Sequence, residues 1–336
     1  MISHQLPFLE RLVIHPTHGD DEQFFRTIVR LFLEGLKPLS CLRLRFPVEA
    51  PLRHRIFELH GASLTDLALE PMTLSELSTL REACPRLERL ETTIQRSESD
   101  RWETRCYEAL ARLPHLRKLY LNLDGSIPET EALPAENPEE TLDALGRAVD
   151  RLKFSPDPHL RIGHVRHILI NSAVDEALVR SIWDIVTTNK PGRPLDYLRV
   201  TSRPGERFMG RRIVGLEKCM RDMKRSYVMR RVEREGRKTI TIRELGQQRR
   251  EERIAEERRL EIEIFAQIWP WGHPHDVEML RVFRRIWPQK ESSRDWRDDW
   301  SSRPLLREEP WWWHLVSEDF NVNFTFHQLE VISNAT

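Results

Sequence analysis

Among the close histidine pairs of the sequence, His164-x-x-His167 and His273-x-His275 have a residue type and spacing that could bind a metal ion. A structural zinc site takes four ligands, usually as pairs of Cys or His at short spacing. No cysteine lies close in sequence to either pair, and Pro274 inside the second pair is typical of a turn. We therefore expect no metal site and no cofactor at these histidines.

The motifs of the common enzyme classes do not occur in the sequence, which has no G-x-S-x-G, no P-loop and no G-x-G-x-x-G. Asp298 and Asp299 stand beside tryptophans and could imitate the carboxylate pair of a glycosidase. The arginines around them favour a solvated, ion-paired segment instead. We expect a chain without catalytic residues.

The charge balance and the N-terminus restrict the class of protein further. The chain has 336 residues with 53 Lys+Arg and 53 Asp+Glu, which excludes a uniformly basic protein for nucleic acid. The N-terminus lacks a secretion signal, and no apolar run approaches the roughly 20 residues that span a bilayer. Four cysteines without Cys-x-x-Cys spacing are expected to be reduced thiols. These features predict a cytoplasmic or nuclear protein.

A leucine string of the form L-x-x-L-x-L recurs through the first two hundred residues. Its clear copies are anchored at Leu9, Leu39, Leu64, Leu87 and Leu116, and weaker copies cover 165–170 and 195–200. The anchors are 30, 25, 23 and 29 residues apart, close to the roughly 20–29 residues of leucine-rich repeats. The Asn or Cys usual after the last strand leucine is missing, so we predict an irregular leucine-rich-repeat solenoid. The alternative is an ordinary α/β domain in which leucines recur by chance.

Each leucine string predicts a short strand whose alternate residues point into the core. Leu119 and Leu121 would enter the core, while Tyr120 between them would face outward. The outward positions predicted in this way are Arg43, Arg45, Asp66, Glu70, Arg89, Glu91, Lys118, Tyr120, His167, Tyr197 and Arg199. Tyr and Arg are enriched at interface hot spots. The partner-binding candidates are therefore Arg43, Tyr120, His167, Tyr197 and Arg199.

Helices are predicted between the strands from capping signals that precede apolar stripes. Thr73-x-x-Glu76 is a capping-box candidate, and Asp100 and Asp175 precede two further stripes. Pro138 would occupy the first position of another helix. Alternating strands and helices predict a short right-handed arc with a parallel inner sheet and outer helices.

The pattern changes after residue 202, where the solenoid of residues 1–202 is predicted to end. Residues 203–260 contain 19 Lys+Arg against 10 Asp+Glu. Within the second segment, 203–268, residues 227–244 (YVMRRVEREGRKTITIRE) predict a β-hairpin, and a charged helix should run from about residue 244 to 268. The cations of this segment could contact phosphates, or could form a basic face that docks on acidic repeats. They include Arg211, Arg212, Arg221, Lys224, Arg225, Arg230 and Arg231.

Eight of the ten tryptophans lie between Trp269 and Trp313. Because a repeat array leaves an apolar end that needs a cap, we predict that the third segment, 269–336, folds back as a Trp-rich cap. The alternatives are an exposed aromatic surface for a partner peptide and a contact that joins two chains.

The hairpin at 227–244 and the segment 285–300 (RIWPQKESSRDWRDDW), together with the irregular leucine strings, resemble uncharacterised fungal F-box/leucine-rich-repeat-like proteins. The resemblance covers most of the chain. It implies repeats that hold a substrate, and an F-box that joins them to a cullin-type ubiquitin ligase. The first string begins at Leu6, which leaves no room for an F-box, so the chain is either a fragment or a repeat protein without ligase coupling.

The sequence thus predicts a non-enzymatic protein-interaction scaffold whose protein partner binds the concave sheet face. A ubiquitin-ligase link is expected only if an F-box is missing upstream, and no membrane contact is expected. The alternative is a nucleic-acid-binding protein that uses the basic stretch 203–238.

Overall fold

The computed structural model describes residues 9–15, 22–126, 149, 151–154, 157–188, 190–203, 214–234, 237–268, 274–293 and 295–306. Side chains are described for fewer of them, because those of 22–26, 157–160, 214–215, 234, 261–268, 274–276 and 278 lie outside the described set.

Eight of the described strands form one sheet, in which every neighbour in space is also the next of these strands along the chain. The strands are β1 (Arg11–Ile14), β2 (Cys41–Pro47), β3 (Asp66–Glu70), β4 (Arg89–Gln95), β5 (Lys118–Asp124), β8 (Tyr197–Arg203), β9 (Tyr227–Arg234) and β10 (Arg237–Glu244). The pairs from β1 to β8 are parallel, and β9 and β10 continue the sheet as an antiparallel hairpin. The sheet therefore crosses the segment boundary predicted at residue 202.

The described helices lie between or after the strands. They are α1 (Glu22–Glu34), α2 (Ala50–His60), α3 (Leu74–Ala83), α4 (Arg101–Ala111), α5 (Ile162–Ser172), α6 (Glu176–Thr187), α7 (Val214–Met223), α8 (Gln247–Ile268) and α9 (Pro274–Ile286). Leucines of the strands and apolar residues of α1–α4 and α6 form one hydrophobic cluster, so these five helices pack on one face of the sheet. Strands such as Lys118–Asp124 alternate buried and less buried residues, as their period of two requires.

Several local predictions are confirmed. Thr73 and Glu76 form a reciprocal capping box at the start of α3. The carboxylates of Asp100 and Asp175 accept backbone N–H groups at the starts of α4 and α6. The hairpin and the charged helix also form, while the turn at 235–236 and the Pro138 helix start lie outside the described residues.

The strand predicted at 165–170 is wrong, because these residues belong to helix α5. The leucine-string spacing there also fits a buried helix, in which almost every side chain from Ile162 to Ser172 lies in the interior. His167 is therefore not an outward strand residue. Apolar residues that recur every three positions satisfy a helix as well as a repeat strand, which explains the error.

A second hydrophobic cluster joins α5, α7 and α9 to the small antiparallel hairpin of β6 (Lys153–Phe154) and β7 (Asp157–Arg161). Trp287 and Trp300 are buried in this cluster, so the described part of the Trp-rich segment does fold back onto the chain. The tryptophans at 311–313, which belong to the predicted cap, lie outside the described residues.

The class is thus mixed α/β with a mostly parallel eight-stranded sheet, as the sequence predicts at that level. All four cysteines are free thiols, and three of them are buried. Within the described part of the chain, no helix is both long enough and apolar enough to cross a bilayer.

Candidate functional site

The sheet has two chemically different faces because its strands alternate leucines with polar residues. The leucines enter the first hydrophobic cluster, whereas none of the alternate residues belongs to either cluster. We call the surface that these alternate residues form the polar face. Its charged and aromatic residues include Arg43, Arg45, Asp66, Glu70, Arg89, Glu91, Lys118, Tyr120, Tyr197, Arg199, Arg230 and Arg243, and the small apolar Ala68 and Val228 lie between them. Four of the five partner-binding candidates lie on it, and His167 does not.

On strands β2–β4 the charges of the polar face compensate one another; we call Arg43, Arg45, Asp66, Arg89 and Glu91 the ion-paired half. Arg43 donates hydrogen bonds to both carboxylate oxygens of Asp66, at 3.1 and 2.9 Å. Arg45 Nη2 lies 3.6 Å from Glu91 Oε1, and Arg89 Nε lies 3.8 Å from Asp66 Oδ1. Burial lowers the pKa of Arg43, but the bonds and charge of Asp66 outweigh it and raise that pKa overall.

Two tyrosines stand at the centre of the polar face, and each is covered by an arginine. The rings of Tyr120 and Tyr197 lie 5.1 Å apart, tilted by 39°. The guanidinium of Arg89 lies 4.2 Å from the Tyr120 ring centre, and that of Arg230 lies 5.3 Å from the Tyr197 ring centre. These are cation–π distances, so a continuous row of side chains runs across four strands, from β4 to β9.

On strands β5, β8, β9 and β10 the cations of the polar face have no such compensation; we call Lys118, Arg199, Arg230 and Arg243 the cationic half. All four side chains are exposed. Among the described residues, no carboxylate lies within ion-pair distance of any of them, whereas Arg203 at the end of β8 reaches back to Glu70 at 2.6 Å. The cationic half is therefore a positive surface that no carboxylate of the described chain neutralises.

His167 belongs instead to a buried network that links α5 to the loop after β4. The imidazole Nδ1 lies 2.8 Å from Glu98 Oε1, and Nε2 lies 2.7 Å from the amide nitrogen of Asn171. Asn171 also accepts the backbone N–H of Glu98 at 2.7 Å. Arg303 donates to the other oxygen of Glu98 at 2.9 Å.

A second buried ion pair lies beside the first. Arg96 Nε is 2.8 Å from Glu103 Oε1, and both side chains are fully buried. Glu103 also accepts the Tyr107 hydroxyl at 2.9 Å and the backbone N–H groups of Ser97 and Ser99, each at 3.0 Å. We use the term buried network for Arg96, Glu98, Glu103, Tyr107, His167, Asn171 and Arg303.

The buried network holds a strained loop. Glu98 and Ser99 have φ values of 61° and 66°, a left-handed conformation that costs about 1–2 kcal/mol for each residue with a Cβ. Burial alone would raise the pKa of Glu98, but the hydrogen bond from His167 and the charges of Arg166, His167 and Arg303 lower it to about 2. The ionised carboxylate is thus the form that the fold selects.

The buried network also fastens the C-terminal part of the described chain. The hydroxyl of Ser99 donates to the carbonyl of Arg303, and the carbonyl of Ser99 accepts the N–H of Leu306. Ser302 donates its N–H and its hydroxyl to Asp175. Both oxygens of Glu98 and both ring nitrogens of His167 have partners, so the buried network joins α5, the loop after β4 and the C-terminal part of the described chain.

Sequence reasoning missed this network because its members are far apart in the chain. The available signals were the acidic cap at Asp100 and the repeated polar residues of the RSESD sequence at 96–100, directly after a buried strand. Parallel strands end at the same sheet edge, where loops meet, but sequence alone names no partner for these residues.

The basic stretch predicted to contact phosphates is largely engaged with the protein itself. Arg221 pairs with Glu257 at 2.7 Å, Arg225 lies over the Trp300 ring, and Arg231 donates to the Leu195 carbonyl. Arg230 lies over the Tyr197 ring on the polar face, and Arg237 and Lys238 of β10 are exposed. Arg211 and Arg212 lie outside the described residues.

Among the described residues, no group of three or more His, Cys, Asp or Glu side chains is placed to hold a metal ion. In comparisons with family models, with curated proteins and with solved structures, the chain has no match.

Proposed function

We propose that the protein is a non-enzymatic interaction scaffold that binds a protein partner on the polar face of its sheet. In this proposal the sheet and its helices form a short, irregular leucine-rich-repeat solenoid, and the polar face is the concave one. The leucine strings of 23–30-residue spacing support that architecture. The F-box resemblance adds the role of substrate-recognition repeats, with a ligase link only where an F-box is encoded upstream of Met1.

One observation carries the proposal: exposed cations and half-buried tyrosines share a face that neither hydrophobic cluster uses. Arg and Tyr supply large contact areas and several hydrogen-bond donors, and both are enriched at interface hot spots. No carboxylate of the described chain pairs with the cationic half, so its charges are not used in ion pairs within the fold. These charges are therefore open to a partner surface.

Site-specific photo-crosslinking tests the location. A photoreactive phenylalanine analogue replaces Arg199 on the polar face or, as the matched control, the exposed Arg112 at the end of α4. We expect a discrete crosslinked protein at position 199 that is absent at position 112 and is lost when Tyr120→Ala and Tyr197→Ala are added.

Equal crosslinking at both positions, or a product that survives both alanine substitutions, would contradict the proposal. Circular dichroism of the double alanine variant separates loss of binding from loss of folding.

A further inference from the structure

We propose that the cationic half of the polar face binds an extended, acidic segment of the partner protein. This inference rests on the proposed function and adds the chemistry of the partner. It requires the four cations to be arranged so that one peptide can reach them, and it requires carboxylates to fit better than nucleic-acid bases.

The strand register arranges the four cations in two staggered rows. Lys118 on β5 and Arg230 on β9 share one register level, with Tyr197 of β8 between them. Arg199 on β8 and Arg243 on β10 share the next level, with Val228 of β9 between them. Neighbouring cations are thus separated by a tyrosine or a valine rather than by a carboxylate.

The size of this surface suits a short peptide. Strands lie about 4.8 Å apart, so the distance from β5 to β10 across three strand intervals is roughly 14 Å. An extended peptide advances about 3.4 Å per residue, so about four to five residues cross the cationic half. Acidic residues at alternate positions would meet both rows of cations.

The two tyrosines favour carboxylates over nucleotide bases. Proteins that bind single-stranded nucleic acid use aromatic rings with free faces, on which bases stack. Here Arg89 and Arg230 lie over the rings of Tyr120 and Tyr197, and the two rings also contact each other. Guanidinium groups occupy the places where bases would stack, whereas the guanidinium N–H groups that remain can donate to carboxylates.

The ion-paired half of the same face limits where the peptide can bind. Asp66 and Glu91 would repel an acidic segment, and their arginines already have carboxylate partners. Charge complementarity therefore directs an acidic peptide to β5–β10 and away from β2–β4.

Fluorescence anisotropy with a fluorescein-labelled peptide of alternating Glu and Thr, about eight residues long, tests the inference on the full chain. We expect binding at low salt that weakens as salt is added. Lys118→Glu combined with Arg199→Glu should weaken it by about tenfold or more, which corresponds to about 1.4 kcal/mol.

The matched control combines Lys37→Glu with Arg112→Glu, which changes the net charge equally at two exposed positions outside the polar face. It should bind the acidic peptide like the unchanged protein, and a Lys/Thr peptide of the same length should not bind. Equal losses in the two double variants would overturn the inference, because bulk charge would then explain the binding.

Binding of an oligothymidylate that carries the same charge as the acidic peptide tests whether the surface prefers nucleic acid. Tighter binding of the oligonucleotide than of the peptide, lost in the Lys118/Arg199 double variant, would assign the surface to nucleic acid and overturn the inference. If the peptide fails to bind but the crosslink at position 199 persists, the acidic partner is wrong and the scaffold proposal stands. If the crosslink is also absent from the polar face, the scaffold proposal is wrong as well.

Discussion

The buried network and the cationic half use the same kinds of charged side chain with opposite outcomes. In the buried network, Arg96 and Glu103 are fully buried and their charges are matched. In the cationic half, Lys118 and Arg199 are exposed and have no carboxylate partner among the described residues. The charges of the buried network join the loop after β4 to the C-terminal part of the described chain. The charges of the cationic half are available to a ligand.

The difference teaches where each set contributes free energy. Removing one partner from a buried pair leaves an uncompensated charge in a medium that solvates it poorly, which costs several kcal/mol. Removing an exposed, unpaired cation costs almost no folding free energy because water already solvates it. Substitutions in the buried network should therefore lower the free energy of unfolding, whereas substitutions in the cationic half should weaken binding. We expect the changes in stability to decrease from the buried network to the ion-paired half and then to the cationic half.

The largest effect is expected for Glu103→Ala. It removes the carboxylate that pairs with the buried guanidinium of Arg96 and that accepts the Tyr107 hydroxyl and two backbone N–H groups, so the free energy of unfolding should fall by about 3–5 kcal/mol. Glu108→Ala on the same helix breaks a more exposed pair with Arg101 and should cost under about 1 kcal/mol. Urea titration followed by circular dichroism measures the free energy of unfolding of both variants. Equal losses would show that the buried pair contributes no more to stability than the exposed pair.

The next effect is pH-dependent. The pKa of Glu98 is lowered to about 2, below the value of the unfolded chain, so its contribution to stability is complete above about pH 4.5. That contribution is lost as the pH falls towards 2. Glu98→Gln should therefore be less stable than the unchanged protein at neutral pH, and the gap should close between about pH 4.5 and 2.

The exposed Glu82→Gln is the control for the pH experiment and should show no gap at any pH in that range. Thermal unfolding at several pH values gives the comparison. A gap for Glu98→Gln that persists unchanged at pH 2 would show that the carboxylate charge is not what stabilises the loop.

A smaller effect is expected in the ion-paired half. Arg43→Met removes a partly buried, two-point hydrogen bond to Asp66 and should cost about 1–2 kcal/mol. Arg45→Met removes a looser contact at 3.6 Å from a more exposed side chain and should cost less than about 0.5 kcal/mol. Neither variant should weaken binding of the acidic peptide, and a loss of binding would show that the two halves act together.

In the cationic half, Arg230→Met removes a cation–π contact with Tyr197 worth about 0.5–1 kcal/mol at an exposed site. Lys118→Met, which removes an exposed side chain without a carboxylate partner in the described chain, should be neutral within about 0.5 kcal/mol. Both substitutions should weaken binding of the acidic peptide. Stability loss in Lys118→Met comparable to that of Arg43→Met would remove the distinction between the two halves.

Local sequence signals predicted much of the secondary structure. Thr73 and Glu76 cap α3 because their spacing lets each side chain reach the backbone of the other. The outward placement of Tyr120, Tyr197 and Arg199 followed from the period of two, which the parallel register preserves from strand to strand. The same spacing rule was wrong for His167, because a buried helix and a repeat strand can present similar leucine spacing.

The candidate site was predicted only in part. The sequence predicted which cations face outward, but not that Asp66 neutralises Arg43 while Arg199 keeps no partner. That outcome depends on side-chain rotamers and on the order of strands in the sheet. The hairpin of β9 and β10 matters most here, since its pairing with β8 brings Arg230 and Arg243 beside Arg199.

By itself, the sequence determined the alternation of strands and helices, the caps, and the division of the sheet into a leucine face and a polar face. These features depend on residues within a few positions of one another. Only the tertiary structure decided that Glu98 would meet His167 of α5 and Arg303 of the C-terminal part. Such contacts join residues far apart in the chain, so they depend on how the helices and strands pack together. The local hydrophobic periodicity of the sequence does not predict that packing.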